Sequence, residues 1–237
     1  MPPELQPTAA TRHDLRIVGA RIVTSGAVLD QASLRVENGV IRAVGDAAVA
    51  AEEIDFNGDL LIPGLIDLHT DNLERHYMPR AGAHWDAIGA AIAHDGQVAA
   101  SGITTVFDSL SLQGYAEGLD RRQHLPAMID GVDLARAQGL LRIDHLLHLR
   151  CEVSDPHLVG ILEPLLDHQA LRMLSVMDHT PGQGQYHDVQ RLIEGWQADG
   201  KGATEIASML ERISDTREAE EALERRRAVA AIAGQRD

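Results

Sequence analysis

The sequence predicts an α/β protein: a small antiparallel β unit leading into strands and helices that alternate to build a parallel sheet. Three observations predict it. Short β-type runs follow one another over residues 15–44, with Asn38-Gly39 between the last two. From residue 61 on, apolar or β-branched runs alternate with helical patterns that glycine closes or Asp-Pro opens. Each later run ends in imidazoles or carboxylates, as strands do when their ends line a site.

Residues 1–13, rich in Pro and Ala, read as a disordered leader. Residues 15–23, 32–37 and 40–44 then read as strands, and Asn-Gly is the preferred two-residue hairpin turn because both positions tolerate positive φ. Residues 54–60 add a further strand, so that 14–60 is expected to form a domain of its own. The run Leu60-Leu-Ile-Pro-Gly-Leu-Ile-Asp-Leu-His69 reads as a buried strand. Side chains two apart on a strand share a face, with Cα atoms roughly 6.6 Å apart, so His69 and Asp71 project together. That is near enough for both to meet one cation. A satisfied buried histidine beside a turn-forming aspartate fits the spacing as well.

After His76 the period changes. Residues 84–101 are Ala-rich with helical spacing, and Gly102 stands where a glycine closes a helix. Residues 103–108 form a β-branched run ending in Asp108, and 117–138 a helical pattern, broken or kinked near Pro126 and closed by Gly139. Residues 142–150 are strand-like and lead to Cys151-Glu152. Asp155-Pro156 opens a helix to about His168, with Asp as N-cap. Residues 172–177 are a strand ending in Asp178-His179. Beyond 187 the patterns 188–199, 203–214 and 215–233 are charged and helical, which suits a solvated helical excursion.

Composition narrows the function classes. The 237 residues are 44% hydrophobic and 24% charged, ordinary for a globular protein, with a net charge of −15. That charge disfavours nucleic acid and anionic membranes as main partners, but not a small anion in a cleft where a metal ion reverses the local field. A single cysteine, Cys151, excludes an intrachain disulfide and fits a reducing compartment. No apolar run reaches membrane-spanning length, and the first twelve residues lack the apolar centre of a signal peptide. We therefore expect a cytoplasmic protein.

Four strand ends in succession carry acid–base or metal-competent groups: His69 and Asp71, Asp108, His148 with Arg150 and Glu152, and Asp178 with His179. On the third strand, alternation sets His148, Arg150 and Glu152 on one face and Leu147, Leu149 and Cys151 on the other. Taken singly, each group has a plainer use: Asp108 as a turn cap, His145 or His148 as a core histidine. Together they describe a functional cleft.

The stretch Pro63-Gly-Leu-Ile-Asp-Leu-His69 resembles the first barrel strand of the amidohydrolase superfamily. Four blocks resemble one branch of it: Leu68-His-Thr-Asp-Asn-Leu73, Ala100-Ser-Gly-Ile-Thr-Thr-Val106, Leu147-His-Leu-Arg-Cys-Glu152 and Ser175-Val-Met-Asp-His-Thr-Pro-Gly-Gln183. That branch comprises the ribose methylphosphonate triphosphate diphosphatases of the carbon–phosphorus lyase pathway. The likeness runs from about residue 14 onward and includes His69-Thr-Asp71 where most of the superfamily has His-x-His.

The resemblance implies a β-sandwich unit plus a (β/α)8 TIM-type barrel, of which this chain supplies about four of eight strands. It implies one or two divalent ions (Zn, Mn or Fe) at the barrel mouth. Residue by residue, His69 and Asp71 match the first-strand ligands, Glu152 the carboxylate that completes the site, and His179 a later ligand. The implied reaction releases pyrophosphate from a phosphorylated sugar. Within it Asp178 suits a water-orienting role. Arg150, Arg75 and Arg80 suit phosphate or phosphonate oxygens, since a guanidinium matches them bidentately. Gln183, in Gly182-Gln-Gly-Gln185, offers donors to the same groups. Arg75 and Arg80 read equally as surface residues, and the glycine-glutamine loop as a turn.

A full barrel needs eight strands and about 250 residues, and the branch's further His and late Asp have no counterpart here. We therefore expect an N-terminal portion of a longer enzyme, with an open sheet edge prone to self-association, and with the activity of this chain alone in question. Two other readings stay open. One is a carbon–nitrogen hydrolase acting on a cyclic amide or amine, which Asp71 in place of a second His disfavours. The other is a non-catalytic fragment.

Overall fold

The computed structural model describes residues 14–46, 48, 50, 52–80, 83–112, 121–178, 188–198, 200–213 and 216–235. The leader 1–13, the first part of the helical pattern 117–138, His179 and Gln183 lie outside the described residues.

The chain opens with β1 (Leu15–Val23), β2 (Val28–Glu37) and β3 (Val40–Gly45), paired antiparallel in the order β3-β2-β1, with Asn38-Gly39 turning between the last two. The continuous strand expected at 54–60 is instead two short ones. β4 (Glu52–Asp55) and β5 (Leu60–Leu61) both pair parallel to β1, on its other edge. Asn57 and Gly58 between them take φ of 47° and 87°, which no strand accommodates. Ile17, Ala20, Ile22, Ala32 and Leu34 form the small core of this sheet.

The second sheet is parallel: β6 (Leu65–Thr70), β7 (Ile103–Ser111), β8 (Asp144–Glu152) and β9 (Leu171–Met177), in that order, curled into half a barrel. Between the strands run α1 (Asn72–Tyr77), α2 (Ala87–Ala100), α3 (Leu125–Ala137) and α4 (Leu158–Leu162). The short α1 has no counterpart in the sequence patterns. The helical pattern is broken near Pro126 and not kinked: α3 begins at Leu125, and Pro126 sits in its first turn, where its missing N–H leaves no bond unmade. α4 starts later than Asp155-Pro156, because the Asp155 carboxylate accepts from the His157 N–H at 2.8 Å and closes a separate turn. It passes at Glu163–Leu165 into a 3₁₀ turn, since Pro164 cannot donate to the carbonyl of Gly160.

The main core lies between the helices and the outer face of the half-barrel. Leu147, Leu149 and Cys151 of β8 and Leu110 of β7 meet Met128 and Val132 of α3 there. Each such side chain contributes about 1.5–3 kcal/mol on burial. α2 and α3 approach so closely that a Cβ on Gly131 would stand 2.7 Å from the Ala87 Cβ. α5 (Val189–Ala198), α6 (Ala203–Ile213) and α7 (Thr216–Gly234) are helical as their patterns predict. α7, however, is not wholly solvated. Its Ala222 and Val229 are buried in the main core, and the Arg225 Nε donates to the Val153 carbonyl at 2.6 Å. No helix among the described residues is long and apolar enough to cross a membrane.

Candidate metal and anion site at the strand ends

Strand alternation decides which side chains face the concave side. On β8, Leu147, Leu149 and Cys151 are spent on the core, which turns His148 and Arg150 the other way. Burial pushes the Cys151 thiol up to about 12, so it is a packing residue and not a nucleophile. A polar row crosses the strands at this level. The His148 Nδ1 lies 2.9 Å from the Ser109 Oγ of β7, and its Nε2 lies 2.7 Å from the Ser175 Oγ of β9. The Ser109 hydroxyl also reaches the Phe107 carbonyl at 3.3 Å. If it donates there, it accepts from the His148 Nδ1–H, and the Ser175 hydroxyl donates to Nε2. Burial first, and the neighbouring His69 second, hold the His148 pKa below its ordinary value, in keeping with that neutral tautomer. The two imidazoles pack edge to face, centroids 5.1 Å apart.

His69 is the penultimate residue of β6, and Asp71 is the residue before α1. Their spacing does bring them together: the His69 Nε2 is 3.8 Å from the Asp71 Oδ1. The same oxygen accepts from the Arg150 Nη1 at 2.6 Å. Three of the residues proposed from sequence thus converge at one point. Glu152 ends β8, buried, and its Oε1 accepts from the N–H and hydroxyl of Ser154 at 3.1 and 2.7 Å. Asp178 directly follows β9 and is half-buried. Arg75 is exposed on α1, and Arg80 is exposed in the turn closed by the Ala83 N–H and Arg80 carbonyl. His179 and Gln183 belong to the part not described.

A second polar cluster went unrecognised in the sequence. β7 continues to Ser111, so Asp108 lies within the strand and not at its end, facing the helices with Val106 and Leu110. It accepts from the His94 Nε2 of α2 and the His145 Nδ1 of β8, each at 2.8 Å. The His145 Nε2 lies 3.4 Å from the Asp95 Oδ1, which also accepts from the Arg142 and Ile143 N–H groups at 2.8 and 3.1 Å. Burial alone would raise the Asp108 pKa, but the hydrogen bonds from His145 and His94 outweigh it and hold the carboxyl below its usual range. Burial would likewise lower His145, yet Asp108, then Asp95, hold it above the usual value. His94, Asp108 and His145 each offer a ligand-type atom, all within 4.8 Å of one another, so the triad is metal-competent in donor chemistry. As it stands, protons satisfy its contacts with Asp108.

A β unit leading into a parallel half-barrel, with imidazole and carboxylate at the strand ends, is the architecture expected from the sequence. No family model matches the chain. It is 37% identical over 186 residues to the alpha-D-ribose 1-methylphosphonate 5-triphosphate diphosphatase of Escherichia coli, a match covering 78% of this chain and 48% of that protein. The likeness to the Escherichia coli diphosphatase thus extends over most of this chain. The chain spans about half of that relative's length. A dihydroorotase of Desulforapulum autotrophicum is 42% identical over 60 residues, 23% of this chain and 14% of that one. Among solved structures, an adenosine deaminase from Xanthomonas campestris with bound zinc superposes with a TM-score of 0.49 at 17% identity, over 85% of this chain and 55% of the other.

Proposed function

We propose that this chain forms the metal-binding and anion-binding part of a hydrolase that releases pyrophosphate from ribose methylphosphonate triphosphate during phosphonate catabolism by the carbon–phosphorus lyase pathway. The convergence of His69, Asp71 and Arg150 on one point at the strand ends carries this reading. The 37% identity to the Escherichia coli diphosphatase supports it. An imidazole and a carboxylate 3.8 Å apart are a donor pair that one divalent cation can touch at once, so the residues fit such an ion. His69 and Asp71 would hold it, with Glu152 and His179 completing the set for one or two ions of Zn²⁺, Mn²⁺ or Fe²⁺. When bound, the ion lowers the pKa of water from roughly 15.7 toward about 7 and so supplies hydroxide near neutral pH.

The chain's own residues do the rest. Asp178, directly after β9, is the carboxylate we assign to orienting the attacking water. Arg150 neutralises phosphoryl or phosphonate oxygens, and Arg75, Arg80 and Gln183 are the further side chains we assign to the same groups, since a guanidinium or amide can donate to them. His148, neutral and anchored to Ser109 and Ser175, fixes the ring of His69 by packing against it. The protein acts in the cytoplasm on a small phosphorylated sugar, and homo-oligomers are compatible with its open sheet.

The test is metal content of the purified chain together with pyrophosphate release. Stoichiometric metal that falls on His69→Ala or Glu152→Ala, with loss of pyrophosphate release, is the expected result. Unchanged metal content and turnover in both variants refute it. The 60-residue match at 42% identity to a dihydroorotase supports a carbon–nitrogen hydrolase as the second reading, and ring opening of a cyclic amide without pyrophosphate release would establish it instead.

A further inference from the structure

The Asp71 carboxylate has two suitors on one oxygen. Its Oδ1 stands 3.8 Å from the His69 Nε2 and 2.6 Å from the Arg150 Nη1. Arg150 comes from β8 and reaches Asp71 beyond β6, with β7 lying between those strands. Its side chain is only 20% exposed, so the guanidinium is committed to the mouth and is not a surface charge that happens to touch an acid. A guanidinium placed there neutralises the very carboxylate that a divalent cation at His69 and Asp71 would use. Like charges this close repel each other, so the guanidinium opposes a cation at the same carboxylate.

The contact with Asp71 is nevertheless a poor use of an arginine. It engages one nitrogen on one oxygen, whereas phosphate and phosphonate match the planar fork with two parallel bonds and carry more charge. We propose that Arg150 couples anion binding to cation binding at this site. Without an anion, Arg150 holds Asp71 and weakens the site for a divalent cation. A phosphate or phosphonate group draws the guanidinium off, and Asp71 becomes available to the cation. Arg150 thereby acts as a positioning residue for Asp71, and the coupling is reciprocal: the cation strengthens the anion's binding by the same factor. The inference rests on the reading of His69 and Asp71 as ligands.

The experiment is titration calorimetry of Mn²⁺ into the purified chain, with and without saturating methylphosphonate, a phosphonate that chelates Mn²⁺ weakly. The wild-type chain is expected to bind Mn²⁺ at least five-fold more tightly when methylphosphonate is present. R150Q is expected to bind Mn²⁺ at the tighter level without methylphosphonate and to gain nothing from it. R150K keeps a charge beside Asp71 and is expected to bind Mn²⁺ as weakly as the anion-free wild type, with a reduced response. D71N is expected to lose Mn²⁺ under every condition. If R150Q, shown folded by circular dichroism, keeps wild-type Mn²⁺ affinity and the full anion response, the coupling is overturned while the ligand reading stands. If R150Q does not fold, R150K decides: Mn²⁺ binding by R150K at the tight level without methylphosphonate overturns the coupling. Failure of the wild type to bind Mn²⁺, or wild-type binding by D71N, overturns the ligand reading and the coupling with it.

Discussion

The His145 Nδ1 donates to the Asp108 Oδ2 across 2.8 Å in a layer where both side chains are fully buried. The pair joins β8 to β7, and His94 and Asp95 tie it to α2, so one charged network fastens two strands and a helix on the far side of the sheet from the strand-end site.

This network makes stability depend on pH in a calculable direction. The folded pKa of His145 is raised, so its contribution is complete below about 6.5 and is lost as pH rises through the folded value. Asp108 is lowered, so its contribution is complete above about 3.9 and is lost as pH falls through the folded value. The network is therefore most stabilising between roughly pH 4 and 6.5. His148 works oppositely: its folded pKa is lowered, and its contribution is complete above about 6.5 and fades below. Asp108→Asn removes the second effect, weakens the first by leaving only Asp95 to hold His145 up, and leaves the third. We expect it to cost about 3–5 kcal/mol, the usual penalty for breaking a buried pair, and to flatten the loss of stability above pH 6.5 in urea melts. Identical pH profiles for the two proteins would show that the contact with Asp108 does not set the pH dependence.

Gly131 offers a test of packing against propensity. Alanine in the middle of a helix is favoured over glycine by about 1 kcal/mol. A Cβ at this position would meet the Ala87 Cβ at 2.7 Å and the Ala87 carbonyl oxygen at 2.8 Å, and the backbone contact cannot be relieved by turning a side chain. Overpacking of this kind costs about 1–3 kcal/mol, so the two effects oppose. We expect Gly131→Ala to be net destabilising by about 1 kcal/mol, with α2 and α3 pushed apart. A rise in melting temperature would mean that the helices yield more cheaply than their contact suggests.

The parts of this fold that were legible in the sequence are those set by local periods. Alternation on β8 correctly parted His148 and Arg150 from Leu147, Leu149 and Cys151, and Asn38-Gly39 marked its hairpin because two adjacent residues suffice to fix that turn. Asp71 met His69 because both lie on one short run, whereas its partner Arg150 is 79 residues away and no spacing rule reaches it. The buried network was hidden for the same reason. One clue was present all the same: Asp108 shares parity with Val106 and Leu110, and His145 with Leu147, so both had to face the helices once those apolar residues did. The parallel pairing of β4 and β5 with β1 depends on tertiary docking, and no turn signal announces it.

The two outer strands of the half-barrel supply the last prediction. Among the described residues β6 pairs only with β7, and β9 only with β8, so each presents an unpaired row of backbone donors and acceptors. β6 also leaves large apolar side chains in water: Leu65, Ile66 and Leu68 are 48%, 62% and 54% exposed. Unpaired edges with apolar flanks recruit further strands, while a charge of −15 on every copy opposes association through a field that salt screens within about 8 Å at physiological ionic strength. The purified 237-residue chain should therefore associate with itself as concentration rises, and more strongly as salt is added. Light scattering behind a sizing column measures this directly. Ile66→Lys should weaken the association without unfolding the chain, since exposed positions tolerate substitution within about 0.5 kcal/mol. A 25.7 kDa monomer at every concentration and salt level would mean that these edges are closed to strand pairing.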